Sequence, residues 1–242
     1  MMIRNAGDRI MNTWLYPIEG GWVMIDTGYE NSYVSVIKKL RNLLIQPEEI
    51  RYLFLTHAHD DHAGFLEEWM TKHPNTQVIA HEKAIDGLCR GQNSFDGGCS
   101  TLIAFLFCQL MVLLGNGDHR YPELSEAHLS KIITLNEDNQ AQAENALNGK
   151  VLFTPGHTED SISLLVDGNL FCGDAAMNGL PSSHKITIWV EDKAAFEKSW
   201  DVMLASRAKT IYPAHGNPFV PSLLKKNKYR IGARNLRPLK HK

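Results

Sequence analysis

One stretch limits what this chain can fold into more than any other: Thr56-His57-Ala58-His59-Asp60-Asp61-His62-Ala63-Gly64, directly after the apolar run Tyr52-Leu53-Phe54-Leu55. Successive residues of a strand face opposite sides, so His57 and His59 at a strand end can point the same way. Asp61 and His62 lie at the following turn and can approach the same point from another direction. Two imidazoles with a carboxylate–imidazole pair form a donor set suited to borderline divalent metals such as Zn²⁺. A solvated polar loop is the competing reading. It carries little weight, because at this composition, with 11 histidines in 242 residues, such an H-x-H-x-D-H pattern arises by chance about once per thousand chains. Asp60 reads as solvated or as supporting the ligands.

Composition excludes several classes. With 43% apolar and 21% charged residues the chain is globular, neither disordered nor fibrous. The formal net charge is −2, but residues 225–242 hold eight of the 25 basic residues and no acid, leaving 17 basic against 27 acidic residues elsewhere. An acidic body with a short cationic end does not fit a nucleic-acid binder, so no nucleic-acid partner is expected. The basic tail, 221–242, reads as a solubilising terminus ahead of a segment that folds onto the body, touches a membrane or contacts RNA. The first 30 residues contain no export signal, and none of the four cysteines (89, 99, 108, 172) belongs to a C-x-x-C pair. They read as reduced thiols in a cytoplasmic protein. The longest apolar run, Thr101 to Leu114, falls short of the roughly 18 residues that span a bilayer, so no transmembrane segment is expected.

Local patterns give the organisation. Trp14–Ile18 and Trp22–Ile25 read as a hairpin around Gly20-Gly21. Tyr33, Val36, Ile37, Leu40 and Leu44 mark one face of an amphipathic helix, and a second helix is expected from about Asp61 to just before Pro74. Residues 52–55, 78–80, 151–153, 162–166, 170–172 and 210–212 read as strands, and Phe196, Trp200, Met203 and Leu204 as a helix face. Two β-rich halves flanked by helices suit an α/β sandwich better than a doubly wound parallel sheet. Residues 88–130 fit neither half and read as a helical insertion.

Three further motifs end strands: Thr154-Pro155-Gly156-His157-Thr158, Phe171-Cys172-Gly173-Asp174 and Tyr212-Pro213-Ala214-His215-Gly216. Singly each is bland, but loops after strand ends are where ligand-binding residues gather. Together with Ile25-Asp26-Thr27-Gly28 the ordered series resembles the metallo-β-lactamase superfamily from Asp26 to His215. The resemblance implies a four-layer αββα sandwich, here a hydrolase domain over 1–220 that includes the helical insertion 88–130. It implies His57, His59 and His157 on a first metal, Asp61, His62 and His215 on a second, and Asp174 bridging both. Asp26 matches a supporting residue. The third motif departs from the family, with Glu159-Asp160 where many members have Pro-Gly.

What the resemblance implies is metal-assisted hydrolysis by a water held between two divalent ions, with Asp61 orienting the nucleophile and accepting its proton. Zn is favoured on ligand type, and Fe or Mn fit the same donors. Asp174 stands where many zinc β-lactamases carry Cys, which argues against antibiotic hydrolysis, while Cys172 reads as core. Flavodiiron members have Glu in place of His59, and the glutathione-binding helical region of glyoxalase II has only a short basic counterpart here. The lactonase- and thioesterase-like members remain, with a small-molecule ester, lactone or thioester as substrate. The apolar stretch 101–114 reads as a lid offering an acyl slot, as a homodimer contact, or as a buried core helix. His184, in Pro181-Ser182-Ser183-His184-Lys185, is a catalytic candidate for protonating the leaving group, against the blander reading of an ordinary loop residue. His73, His81, His119, His128 and His241 carry no assigned role. Two alternatives stay open: a phosphodiesterase or nuclease using the same donors, and a non-catalytic metal-bound effector.

Overall fold

The computed structural model describes residues 2–239; Lys240, His241 and Lys242 of the basic tail lie outside the described residues. The chain divides into two compact units, the first made of residues up to Asn93 plus Arg120–Val151, the second of Ser94–His119 plus the chain from Leu152 onward. In chain order the elements begin with β1 (Arg4–Asn5), β2 (Trp14–Ile18), β3 (Gly21–Ile25), α1 (Tyr33–Asn42), β4 (Ile50–Phe54), α2 (Leu66–Lys72), β5 (Gln77–His81) and α3 (Ala84–Arg90). There follow β6 (Gly98–Cys99), α4 (Leu102–Leu113), α5 (Glu126–Leu129), β7 (Ile133–Leu135), α6 (Gln140–Leu147), β8 (Lys150–Phe153), β9 (Ile162–Val166) and β10 (Asn169–Gly173). The last are β11 (Trp189–Val190), α7 (Lys193–Ala205), β12 (Thr210–Pro213), α8 (Ser222–Asn227) and α9 (Tyr229–Gly232).

The first unit is built on a mixed sheet of order β1-β2-β3-β4-β5-β7. The expected hairpin is present, with Tyr16 opposite Val23 and Ile18 opposite Gly21, and Gly20 supplies the left-handed turn at φ 77°. From β3 onward the neighbours run parallel. Parallel strands are covered on both faces, which is why β4 and β5 are apolar nearly without alternation. Val36 and Leu40 of α1, with Phe65, Leu66 and Trp69 from the α2 region, fill one core with Leu53 and Val78. The α1 stripe ends earlier than the pattern suggested. Ile45 N bonds back to Leu40 O and Leu44 N to Arg41 O, a left-handed closure that turns Leu44 outward at φ 61° and 86% exposure.

Helix α2 begins at Leu66, not near Asp61. His62 N and Ala63 N both bond His59 O, at 3.0 and 2.7 Å, and the His62 carbonyl is taken by Thr27 N and Thr27 Oγ1. A carbonyl held by another segment cannot accept a helical bond, so residues 61–65 stay a turn.

The second unit carries a sheet of order β12-β10-β9-β8 and a separate β6–β11 pair. Strands β9 and β10 are antiparallel, closed by Asp167 and Gly168 at φ 50° and 80°, and β12 joins β10 in parallel. Phe196, Trp200 and Met203 of α7 pack with Leu170, Cys172 and Ile211, and Leu224 and Ile231 of α8 and α9 belong to the same core. Of the readings for the basic tail, folding onto the body is the one seen over 222–237. Arg237 there exchanges backbone hydrogen bonds with Cys99, at 2.9 and 3.0 Å.

The stretch 88–130 is shared between the units: Leu88, Tyr121 and Leu124 lie in the first core, while 94–119 belongs to the second unit. Its apolar run forms α4, capped by Thr101 Oγ1 accepting from Ala104 N at 2.9 Å. The core reading of this run fails. Ala104 is its one buried residue, whereas Leu102, Ile103, Leu106, Leu110 and Leu113 are 53, 67, 56, 52 and 83% exposed. Among the described residues no helix is long and apolar enough to cross a membrane.

Candidate metal centre

In the first unit the donors sit where β3 and β4 end. Just past β3, Asp26 takes a left-handed turn at φ 59°, buried, with its carboxylate fully engaged. Oδ1 accepts from Thr56 N at 2.7 Å, and Oδ2 accepts from Thr56 Oγ1 at 2.9 Å and from His62 Nδ1 at 2.8 Å. The Asp26 bond places the imidazole proton on Nδ1, so His62 Nε2 carries the lone pair, 3.7 Å from Asp61 Oδ1. The His57 ring centroid is 4.6 Å from that of His59 and 3.9 Å from that of His62, all three buried. Imidazole rings with available lone pairs are what a cation requires. Asp60 is tied to Asn93 by reciprocal bonds of 2.7 and 2.8 Å, a supporting position.

In the second unit Gly156, directly before His157, packs against Phe196 of α7. At φ 126° and with its Cα pressed on Phe196, any side chain there would overlap the Phe196 backbone. His157 Nδ1 donates to Trp189 O at 2.9 Å, and its Nε2 stands 3.7 Å from Asp174 Oδ2. His215 Nε2 stands 3.6 Å from Asp174 Oδ1. One buried carboxylate thus presents an oxygen to each of two buried imidazoles. The turn that carries it is anchored by Trp200 Nε1 donating to Ala175 O at 2.7 Å. Cys172 is buried in the core, as its place on the strand suggested.

The His and Asp groups of the two units are able to bind metal ions. The donor chemistry fits: neutral imidazoles whose outer nitrogens are fixed by a carboxylate or carbonyl, plus carboxylates that can bridge. Sequence reasoning named Asp26 as a supporting residue but missed Thr56 and the Trp189 carbonyl. Thr56 could have been found by its position next to His57. The Trp189 carbonyl could not, since a backbone atom leaves no residue signature.

The other histidines have local partners. His73 meets Tyr33 Oη at 3.0 Å, His128 meets Glu67 Oε2 at 2.8 Å, and His81 Nδ1 accepts from Lys83 N at 3.1 Å. His119 lies beside Phe95. His184 is on an exposed loop of the second unit, its Nδ1 accepting from Arg234 Nη2 at 3.3 Å. Slight burial and the charges of Arg230 and Arg234 hold its pKa below the usual histidine value.

Glu191 backs the His157 turn through its own N–H to Gly156 O and its Oε2 accepting from Glu159 N. Burial raises its pKa from 4.5 to about 7. A carboxyl harder to ionise in the folded state than in the unfolded one loses stability as pH rises from 4.5 to about 7. A Glu191→Gln variant is therefore expected to lack that fall. Tm followed from pH 4 to 8 on both proteins checks it, and parallel profiles would contradict the shift.

Residues 6–215 match the family model described as the Metallo-beta-lactamase superfamily. A Drosophila melanogaster protein named beta-lactamase-like protein 2 homolog is 27% identical over 232 residues, which is 93% of this chain and 65% of that protein. A Sulfurisphaera tokodaii protein named for its metallo-beta-lactamase fold is 26% identical over 213 residues, 85% of this chain and 72% of the relative. Among solved structures, a B3 metallo-beta-lactamase with an active-site glutamic acid superposes with TM-score 0.64 and 19% identity, covering 96% of this chain and 86% of that one. An archaeal superfamily protein from Sulfolobus tokodaii gives 0.60 and 19%, covering 92% and 80%. These likenesses establish the fold, in keeping with an α/β sandwich.

Proposed function

The chain belongs to the metallo-beta-lactamase superfamily, and from that premise we propose a dinuclear, zinc-dependent hydrolase acting on a small ester, lactone or thioester. It carries the fold and a set of His and Asp groups able to bind metal. In the proposed assignment His57, His59 and His157 serve one ion, Asp61, His62 and His215 the other, and Asp174 both. The observation that carries this reading is the pair of fixed tautomers: Asp26 holds His62, and the Trp189 carbonyl holds His157, each leaving Nε2 free of its proton.

Bound divalent ions supply Lewis acidity, lowering the pKa of a water and polarising the group to be cleaved. Asp61, half-buried and beside His62, is positioned to orient that water and accept its proton. Asp26 and Thr56 keep the first-unit imidazoles in register. We give His184 the part of a hydrogen-bond donor to the leaving group. With Nδ1 accepting from Arg234, the ring keeps its proton on Nε2, from which it donates, and the charges of Arg230 and Arg234 disfavour a second proton.

The exposed apolar face of α4 supports an acyl-bearing substrate. Replacing Leu106 and Leu110 with Gln is expected to flatten the rise of kcat/KM with acyl-chain length, each lost buried methylene contact being worth about 0.8 kcal/mol. An unchanged chain-length profile would remove the acyl role, and a simultaneous change in oligomeric mass would point to a homodimer contact.

Metal analysis followed by turnover assays on lactones, thioesters and bis-p-nitrophenyl phosphate tests the reading. Two ions per chain with ester or thioester turnover is the expected result. Fewer than two ions in a saturated preparation would overturn the bridging role of Asp174. Phosphodiester turnover far above ester turnover would turn the assignment to a phosphodiesterase. Metal loading without turnover of any substrate would favour an effector.

A further inference from the structure

In the second unit a group of cations stands without a paired carboxylate among the described residues. Arg234 Nη2 donates to Ser183 Oγ at 3.0 Å and to His184 Nδ1 at 3.3 Å. Arg230 lies four residues before Arg234 and close enough for its charge to act on both Arg234 and His184. The Nε atoms of both arginines are shielded from solvent and have no hydrogen-bond acceptor. We propose that Ser183, His184, Lys185, Arg230 and Arg234 form a binding site for an oxyanion, the carboxylate or phosphate group of a small molecule.

Several observations carry this. Buried donors are nearly always paired, so two neighbouring guanidiniums that each carry an Nε without an acceptor are left with unmet hydrogen-bonding capacity. Like charges four residues apart also repel. Nearby, the ordinary solution to such a charge is visible: Lys228 pairs with both oxygens of Asp201, at 2.6 and 2.7 Å. Arg230 and Arg234 have no such pair among the described residues. Glu197 is at hand, since a Cβ on Gly232 would lie 3.8 Å from its Oε2, yet it makes an ion pair with neither arginine.

The loop facing them is held in an uncommon shape. His184 and Lys185 are consecutive non-glycine residues in the left-handed region, at φ 61° and 68°, closed by a bridge from Ser183 to Ile186. Such strain persists where the surroundings over-determine it and tends to mark ligand sites. Guanidinium forks match carboxylate and phosphate oxygens, and the Ser183 hydroxyl adds a neutral donor. Lys185 Nζ bonds Asn178 Oδ1, and Asn178 N donates to His215 O at 2.9 Å. The oxyanion would therefore be held on a loop one residue removed from a proposed metal ligand of the same unit.

The proposal rests on the hydrolase reading only for what the anion belongs to, the leaving-group side of the substrate. Binding is read first, without turnover. The full chain is titrated with inorganic phosphate and, separately, with acetate, followed by calorimetry and by the His184 imidazole NMR signal. One of the two anions is expected to bind and to raise the His184 pKa, the tighter one giving the ligand class. Arg234→Gln and Arg230→Gln are each expected to weaken that binding at least about tenfold; if one fails to fold, the other decides. No saturable binding, or binding that both variants retain (an adventitious ion only), would overturn the site. The second arm compares an ester carrying that anion with its neutral isostere. KM for the charged ester is expected to rise in Arg230→Gln while the neutral one is unaffected, and equal effects on both would overturn the substrate role. Anion binding without hydrolysis of either ester would leave the site standing and remove the hydrolase.

Discussion

Asp174→Ala is expected to lose at least one metal ion per chain and to lower kcat/KM by more than the ~10–100-fold typical of a change behind the ligands. The expectation follows from geometry within one unit. The Asp174 carboxylate is buried and offers Oδ2 to His157 Nε2 and Oδ1 to His215 Nε2, at 3.7 and 3.6 Å. Alanine leaves the ion assigned to His57, His59 and His157 with no anionic ligand, and a buried cation without a counter-charge is not held. Asp174→Asn is the sharper version, keeping size while removing the charge and one acceptor. Metal content by elemental analysis and turnover on the best ester or thioester read the result, with circular dichroism as the check on folding. Full metal content in Asp174→Ala would remove the bridging assignment.

The second large effect is expected at a residue that is not itself a ligand. Asp26→Asn should weaken metal affinity about 10–100-fold, with kcat falling alongside. Asn tolerates the left-handed turn at φ 59° about as well as Asp, so the backbone is preserved and the chemistry isolated. The carboxylate accepts three hydrogen bonds, one to Oδ1 and two to Oδ2. With the amide nitrogen in the Oδ2 place, Thr56 Oγ1 and His62 Nδ1 meet a donor, and the His62 proton is driven to Nε2. A protonated Nε2 cannot ligate. NMR of the His62 ring in the metal-free variant shows the tautomer directly, and metal titration gives the affinity. The same change costs about 1–3 kcal/mol of folding stability through the mismatched buried donors, which urea unfolding measures. An Nδ1–H tautomer with unaltered affinity would show that Asp26 is not what orients His62.

Much of this was legible in the residue order. The hairpin of β2 and β3, strands β4, β5, β8, β9, β10 and β12, and helix α7 follow from period-two or period-3.6 patterns bounded by Gly, Pro and Asn. Where the pattern misled, a long-range bond was the reason. The start of α2 was displaced by five residues because Thr27 takes the His62 carbonyl, and α1 closes before Leu44 because Ile45 turns back into the core. Strand β7 and helices α5 and α6 were not foreseen, because three residues of strand or one to two helical turns carry too little periodicity to register. The run 101–114 shows the limit of composition: its residues left a lid, a dimer contact and a core helix open, and only the structure shows which neighbours it lacks.

The sequence by itself determined the metal-type donors, their order and the family, because ligand chemistry belongs to residue type and its place at a strand end survives any detail of packing. Only the tertiary structure decided which imidazole nitrogen is available, that α4 lies open, and that Arg230 and Arg234 have no paired acid among the described residues. Each of these depends on a partner far away in the chain, such as the Trp189 carbonyl on His157 or Asp26 on His62. A hydrogen bond between distant segments exists only once the chain has folded, and no local pattern encodes it.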